Sequence, residues 1–312
     1  MDFEQSQNYR VASDLFPGWK EKVLTGTPPT LYSVGAGPLG QIEIGPGIVT
    51  LIGGSPGAGK TAFVMQCVVN ALRLDETLRV CVCNVEMSAE TLFDRQLARI
   101  SGIDLSSIRH RRLTAMHSER LDTALEPLTE RLCFVRPPFG LADVAAAAED
   151  GAFEADIIVL DYIQRISPPD ANGDKRSEVD ATMNYIRQFA DVGIAVIVVA
   201  AVSRTRDRQG RSSYDGSGLN LASFRESSEL EFGADDAFIL CPDSGQGSTV
   251  TLRHLKARNG EPRDVRLEFD RTLQRFSPVD GVVTPENAAS TSTLSELWGR
   301  TTPAPEEPEQ AE

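Results

Sequence analysis

The sequence is poor in the residue types on which several binding chemistries depend. Aromatic residues make up 6% of its 312 positions, and it has three histidines, His110, His117 and His254. Base stacking on an aromatic platform therefore has little to work with. The five cysteines do not pair with each other or with the histidines at zinc-ligand spacing, which excludes a zinc site. Cys81 and Cys83 alternate on an apolar strand, while Cys67, Cys133 and Cys241 sit in other apolar stretches, so buried free thiols are expected. No apolar run approaches the ~18 to 20 residues of a membrane span. Residues 1–10 are polar and acidic, unlike a secretion signal or transit peptide, and the cytoplasm is the expected compartment. Basic excess is missing too. The formal charge of −14 excludes a protein that coats nucleic acid over its whole surface. That charge is uneven, with six acidic residues against the single Arg300 between residues 281 and 312, so a locally basic loop stays possible.

What is present is a repeating apolar pattern. Short β-branched runs at 48–52, 80–85, 132–135, 157–160, 194–201 and 237–240 read as buried strands. Stretches with helical spacing at 62–74, 89–100 and 179–191 lie between them. Such alternation predicts an α/β fold with a mostly parallel central sheet flanked by helices. Two alternating segments, 250–255 and 265–269, flank Asn259-Gly260 and predict a C-terminal antiparallel hairpin. The expected organisation is an N-terminal arm over 1–25, a single α/β domain over 26–280, and a disordered acidic tail over 281–312. The arm carries Tyr9, Val11, Leu15, Phe16 and Trp19, which suit either a short helix docking on a neighbour or a loosely packed segment. Within the tail, the apolar patch 294–298 reads either as a partner motif or as incidental.

Residues 54–61, Gly-Ser-Pro-Gly-Ala-Gly-Lys-Thr, match G-x-x-x-x-G-K-[ST] between a strand and a helix. The glycines let successive N–H groups turn inward onto phosphate oxygens, and the helix N-terminus adds its dipole. The expected phosphate cradle is Gly54, Ser55, Pro56, Gly57, Ala58, Gly59, Lys60 and Thr61, with Ala62 following. Lys60 is expected to bridge the β- and γ-phosphates of ATP, and the Thr61 hydroxyl to ligate Mg²⁺. Asp161 ends a buried run at the carboxyl edge of a strand, where ligands sit in open α/β sheets, and is the expected acid behind the metal. Glu86 ends another such run, and Ser88 is placed to cap the helix after it, leaving Glu86 free to activate water.

In their order these motifs resemble the C-terminal RecA-like ATPase domain of DnaB-type replicative helicases. Five segments carry the resemblance: the loop continuing Gly-Lys-Thr-Ala-Phe, Asn84-Val-Glu-Met-Ser88, Leu160-Asp-Tyr-Ile-Gln164, Phe224-Arg-Glu-Ser-Ser228 with its acidic continuation, and Lys256-Ala-Arg-Asn-Gly260. The resemblance implies that Glu86 is the catalytic glutamate and that Arg225, Glu226 and Ser228 face DNA. It further implies that Lys256 and Arg258 reach the neighbouring subunit's nucleotide. Two residues apart on a strand, those two side chains project from one face.

There are departures. Where the family carries a glutamine after the 194–201 strand this chain is read as having Ser203, whose shorter hydroxyl can still bond a water or phosphate. Ser228 replaces the loop glycine, and the family's N-terminal domain has no counterpart in this sequence, so a stand-alone ATPase domain is expected. The resemblance implies a homo-oligomer, a hexameric ring around single-stranded DNA, with an initiator, loader or primase as further partner and no membrane.

The densest basic cluster, Arg204, Arg206, Arg208 and Arg211, lies in a polar stretch and suits phosphate contacts in such a channel; a solvated surface loop is the alternative. Two functions lead, ahead of a weaker third, a nucleotide-binding partner protein with residual turnover recruited through the tail. One is an ATP-dependent helicase or translocase. The other is a RadA- or KaiC-like regulatory ATPase that switches oligomeric state without unwinding.

Overall fold

The computed structural model describes residues 10–279, apart from 115–116, 118–123, 152, 170–174, 203–204, 207–211, 214–218, 225–228 and 244–246. The acidic tail and its 294–298 patch lie outside the described residues. A nine-stranded sheet organises the fold. Its parallel part comprises β1 (Val49–Gly54), β2 (Val80–Asn84), β3 (Leu132–Phe134), β6 (Ile157–Asp161), β7 (Ala195–Ala201) and β10 (Asp236–Pro242), ordered β10-β1-β7-β6-β2-β3. Three strands continue it antiparallel from β10: β11 (Thr249–Ala257), β12 (Val265–Asp270) and β13 (Arg275–Pro278). Two short pairs stand outside it, β4 (Glu149–Asp150) with β5 (Phe153–Glu154), and β8 (Thr205–Arg206) with β9 (Ser212–Ser213).

Alternation along the buried strands sends side chains into two cores. Ile52, Val80, Val82, Ile157, Val159 and Ile197 pack on one face with Phe63, Val68 and Leu72 of α2 (Lys60–Leu74). Leu51, Cys81, Ile158, Leu160 and Val198 pack on the other with α5 (Leu141–Ala148) and α6 (Lys175–Asp191), through Val144, Met183 and Ile186. The cysteines are free; four are buried and Cys133 is partly so. Burial pushes the Cys67 thiol up to about 12.

Further helices are α3 (Ala89–Ser101), α4 (Leu105–Arg109) and α7 (Glu229–Gly233). The expected hairpin is present as β11 and β12, and β13 extends it. That last strand is held by the Gln66 side chain of α2, which donates to the Phe276 carbonyl at 2.7 Å and accepts from its N–H at 2.9 Å.

Residues 12–25 of the arm form α1 (Ala12–Thr25), and none of its residues is buried. Phe16 and Trp19 lie 5.6 Å apart and are more than half exposed, at 54% and 59%. No helix among the described residues is long and apolar enough to cross a membrane.

Candidate active site

The phosphate loop leaves β1 at Gly54 and enters α2 at Lys60. Gly59 is fixed by both backbone and packing. Its φ is +93°, and a Cβ there would come within 2.8 Å of the Phe276 ring and 2.9 Å of the Phe269 ring. β12 and β13 therefore form the floor on which the loop rests. Lys60 Nζ donates to the carbonyls of Gly54 at 2.9 Å and Ser55 at 3.1 Å, so the amine lies across the mouth of its own loop. Burial lowers the Lys60 pKa, and the charges of Asp161 and Glu86 oppose that shift. Ala58 is fully buried, whereas Pro56, Gly57, Gly59, Lys60, Thr61 and Ala62 line the cleft above the loop.

The two strand-end acids meet because β2 and β6 are neighbours in register, with Asn84 beside Asp161. Thr61 Oγ1 donates to Asp161 Oδ2 at 2.6 Å, and Asn84 Nδ2 donates to the same oxygen at 2.8 Å. Asn84 Oδ1 then accepts the N–H groups of Glu86 at 3.0 Å and Met87 at 2.8 Å, fixing the turn that carries Glu86. As expected, Ser88 caps the following helix, accepting from Thr91 N at 3.3 Å. Glu86 stays exposed and lines the cleft. Asp161 is buried, and this desolvation raises its pKa to about 6, although the Thr61 hydroxyl and the charges of Lys60 and Arg95 act against the shift.

A cleft of about 1060 Å³ joins these groups. Some of its wall was not anticipated from sequence. Arg95 of α3, Gln164, Arg165, Arg271 and Gln274 all line it. Gln164 clamps the end of β7, donating to Ala201 O at 3.4 Å and accepting from Ala201 N at 3.2 Å. Arg271 lies 5.0 Å over the Phe269 ring and donates to Gly57 O at 3.1 Å, bracing the loop from the β12–β13 turn. Gln164 belongs to the strand motif already quoted, so its position was readable. Arg271 was not, because only tertiary folding places it over a loop more than two hundred residues earlier in the chain.

Lys256 and Arg258 do not enter this cleft. β1 points its carboxyl end at the phosphate loop, while Thr50 near its start pairs with Asp236, and Asp236 pairs with Ala257. Arg258, one residue further and level with Asp235 and Val49, therefore sits at the opposite edge of the sheet, roughly 16 Å below Gly54 at 3.3 Å per strand residue. Lys256 Nζ donates to the carbonyls of Glu231 and Ala234, each at 2.7 Å, at the C-terminal end of α7. Burial lowers its pKa, and the Arg258 charge adds to that shift. Arg258 Nη1 meets Asp235 Oδ1 at 2.6 Å and remains half exposed.

Of the remaining expected residues, Ser203, Arg208, Arg211, Arg225, Glu226 and Ser228 lie outside the described residues, as does Arg204 of the basic cluster. Arg206 is the second residue of β8. Described residues on either side of these segments are informative. Val202 bridges Phe224, so the segment after β7 and the segment after Phe224 start from one point. The Phe224 ring packs so closely on β1 that a Cβ at Gly53 would lie 2.5 Å from its Cε1. That point is one residue from Ala201 in the cleft wall.

Comparison with known proteins bears on the family and the fold. The family model of the DnaB-like helicase C-terminal domain matches residues 44–278. The replicative DNA helicase DnaB of Treponema pallidum is 26% identical over 231 residues, covering 72% of this chain and 50% of that protein. A probable plasmid replicative DNA helicase of Chlamydia trachomatis is 25% identical over 246 residues, covering 76% and 52%. The chain thus spans about half the length of the curated relatives it matches. Among solved structures, the ATPase domain of G40P superposes with a TM-score of 0.72 at 18% identity, covering 88% of this chain and all of that one. A DnaB-like replicative helicase described with its primase interactions superposes at 0.70 and 19% identity, covering 86% of this chain and 67% of that one.

Proposed function

Because the chain belongs to the DnaB-like helicase C-terminal domain family, we propose that it is an ATP-driven helicase or translocase on single-stranded DNA, built as a ring of identical subunits. The observation that carries this reading is the separation of its charged groups. The phosphate loop, Glu86 and Asp161 share one cleft, whereas Lys256 and Arg258 occupy the far edge of the same sheet. Cations there cannot reach their own subunit's cleft, but they suit the cleft of a neighbour. The proposed ring of identical subunits is what would supply such a neighbour.

In the cleft, the loop N–H groups and Lys60 bind the triphosphate. Lys60 exchanges its contacts with Gly54 and Ser55 for phosphate oxygens. Thr61 and Asp161 fit a Mg²⁺ ion, since a hydroxyl and a carboxylate 2.6 Å apart are hard oxygen donors and the desolvated carboxylate favours a cation beside it. That ion supplies charge neutralisation at the phosphates. Glu86, held by Asn84, accepts a proton from the attacking water, and Arg258 of the adjacent subunit meets the charge that develops in the transition state.

Arg225, Glu226, Ser228 and the basic residues Arg206, Arg208 and Arg211 are assigned to the DNA channel. The Val202–Phe224 bridge supports that assignment, because it sets the two described residues that precede these segments side by side, next to Ala201 of the cleft wall. The unburied apolar face of α1 is assigned to subunit contact, and a primase, loader or initiator to the assembled ring.

ATP turnover with and without single-stranded DNA tests the reading, with Glu86→Gln as control. Several-fold stimulation by DNA, lost in the control, is expected. Turnover that rises with protein concentration but ignores DNA would replace the motor with the RadA- or KaiC-like assembly ATPase.

A further inference from the structure

Asp235 lies in the link between α7 and β10, buried at the edge of the sheet opposite the nucleotide cleft. Both of its carboxylate oxygens are engaged, and differently. Oδ2 accepts from Val49 N at 2.8 Å, at the start of β1, and from Arg187 of α6 at 2.7 Å. Its own N–H donates to Val49 O at 2.8 Å, so the residue is bound to β1 through backbone and side chain together. Oδ1 is left to take Arg258 Nη1 at 2.6 Å, and the Arg258 N–H donates to Asp235 O at 3.0 Å. The carboxylate itself is 7% exposed, whereas the arginine it grips is 50% exposed. One corner of the guanidinium is anchored in the sheet while the rest of the fork remains at the surface.

We infer that Asp235 is the positioning residue for Arg258: a carboxylate locked by β1 and α6 that pre-aligns the arginine offered to the next subunit's nucleotide. This rests on the shared-site reading proposed above. A free arginine must order several side-chain torsions before it can meet developing charge, and a side chain already anchored at one nitrogen loses less. Anchoring to β1 adds a second consequence. The strand that sets Arg258 at one end carries the phosphate loop at the other, so each subunit's own loop and the arginine it donates are referenced to one rigid element. Lys256 serves differently, since its strongest contacts are to the carbonyls that end α7.

The test compares the full-length Asp235→Asn protein with Arg258→Ala, each alone and each mixed with Glu86→Gln subunits. Asp235→Asn is expected to lower kcat for ATP between about ten- and a hundred-fold with little change in KM, as displacement of a catalytic group does. Mixing with Glu86→Gln is expected to restore turnover, because the intact cleft of an Asp235→Asn subunit then receives a well-held arginine from its neighbour. A purely structural defect inside the subunit would not be rescued by a neighbour. If Asp235→Asn does not fold, Asp235→Glu keeps the charge for Arg187, moves the carboxylate by one methylene, and carries the same comparison. An unchanged kcat overturns the assignment. So does a loss that mixing fails to restore while the Arg258→Ala mixture recovers. If neither mixture recovers, the shared-site reading itself fails.

Discussion

The two edges of the central sheet differ in how their charged groups are held. At the carboxyl edge, Thr61, Asn84 and Asp161 form a chain of short contacts around one cleft, and Glu86 hangs from Asn84 at its rim. At the opposite edge, Arg258 is gripped at one nitrogen, half exposed, and does not line that cleft. The first edge is built to enclose a ligand, and the second to present a cation outward. On the reading proposed above, a subunit carries half a site on each edge and completes neither alone, so that chemistry depends on assembly.

The sharpest way to break that contrast is to remove the outward cation. Arg258→Ala is expected to reduce ATP turnover by about 10³-fold or more, the usual worth of an arginine supplied across an interface. Steady-state hydrolysis checks this, with thermal melting to show that the fold is retained. An enzyme that keeps most of its activity would mean the far edge has no part in the reaction. Glu86→Gln, at the other edge, is expected to cost about 10²-fold or more in kcat while nucleotide still binds, since it removes the base and leaves the cradle. Equilibrium binding of a fluorescent nucleotide beside the turnover assay separates the two effects.

Smaller changes sharpen the contrast by probing what supports each edge. Gly59→Ala sets a methyl against the rings of Phe269 and Phe276 at a backbone angle that favours glycine, and about 1–3 kcal/mol of stability should be lost. Urea denaturation measures it, and an unchanged midpoint would show that β12 and β13 do not support the loop. Ser88→Ala removes the α3 cap behind Glu86 and is expected to cost about 1 kcal/mol, with little effect on nucleotide affinity.

The same contrast explains what could be read from the chain. The carboxyl edge was legible because its parts are local. A Gly-rich loop, a Lys-Thr pair and acids at the ends of apolar runs each declare themselves within a few residues, and parallel strands bring their ends together. Most of the fold was legible for the same reason, since buried parallel strands are continuous apolar runs. β13 was not, because a four-residue strand shows no pattern and its place depends on Gln66, 210 residues away. α5 was also missed; eight residues rich in alanine are too few to show a helical period. The far edge was only half legible. Lys256 and Arg258 stood out through the family resemblance, but Asp235 did not, because its meaning comes from Val49, 186 positions away, and Arg187, 48 away. No local pattern records contacts of that range.

The division of one site between two subunits is tested most directly by mixing two inactive proteins, Glu86→Gln and Arg258→Ala, across a series of ratios and reading ATP turnover. Shared sites predict that activity absent from each protein alone appears in the mixture, where an Arg258→Ala cleft meets the arginine of a Glu86→Gln neighbour. Turnover that stays at the level of the separate proteins at every ratio, under conditions where the subunits co-assemble, would contradict the account.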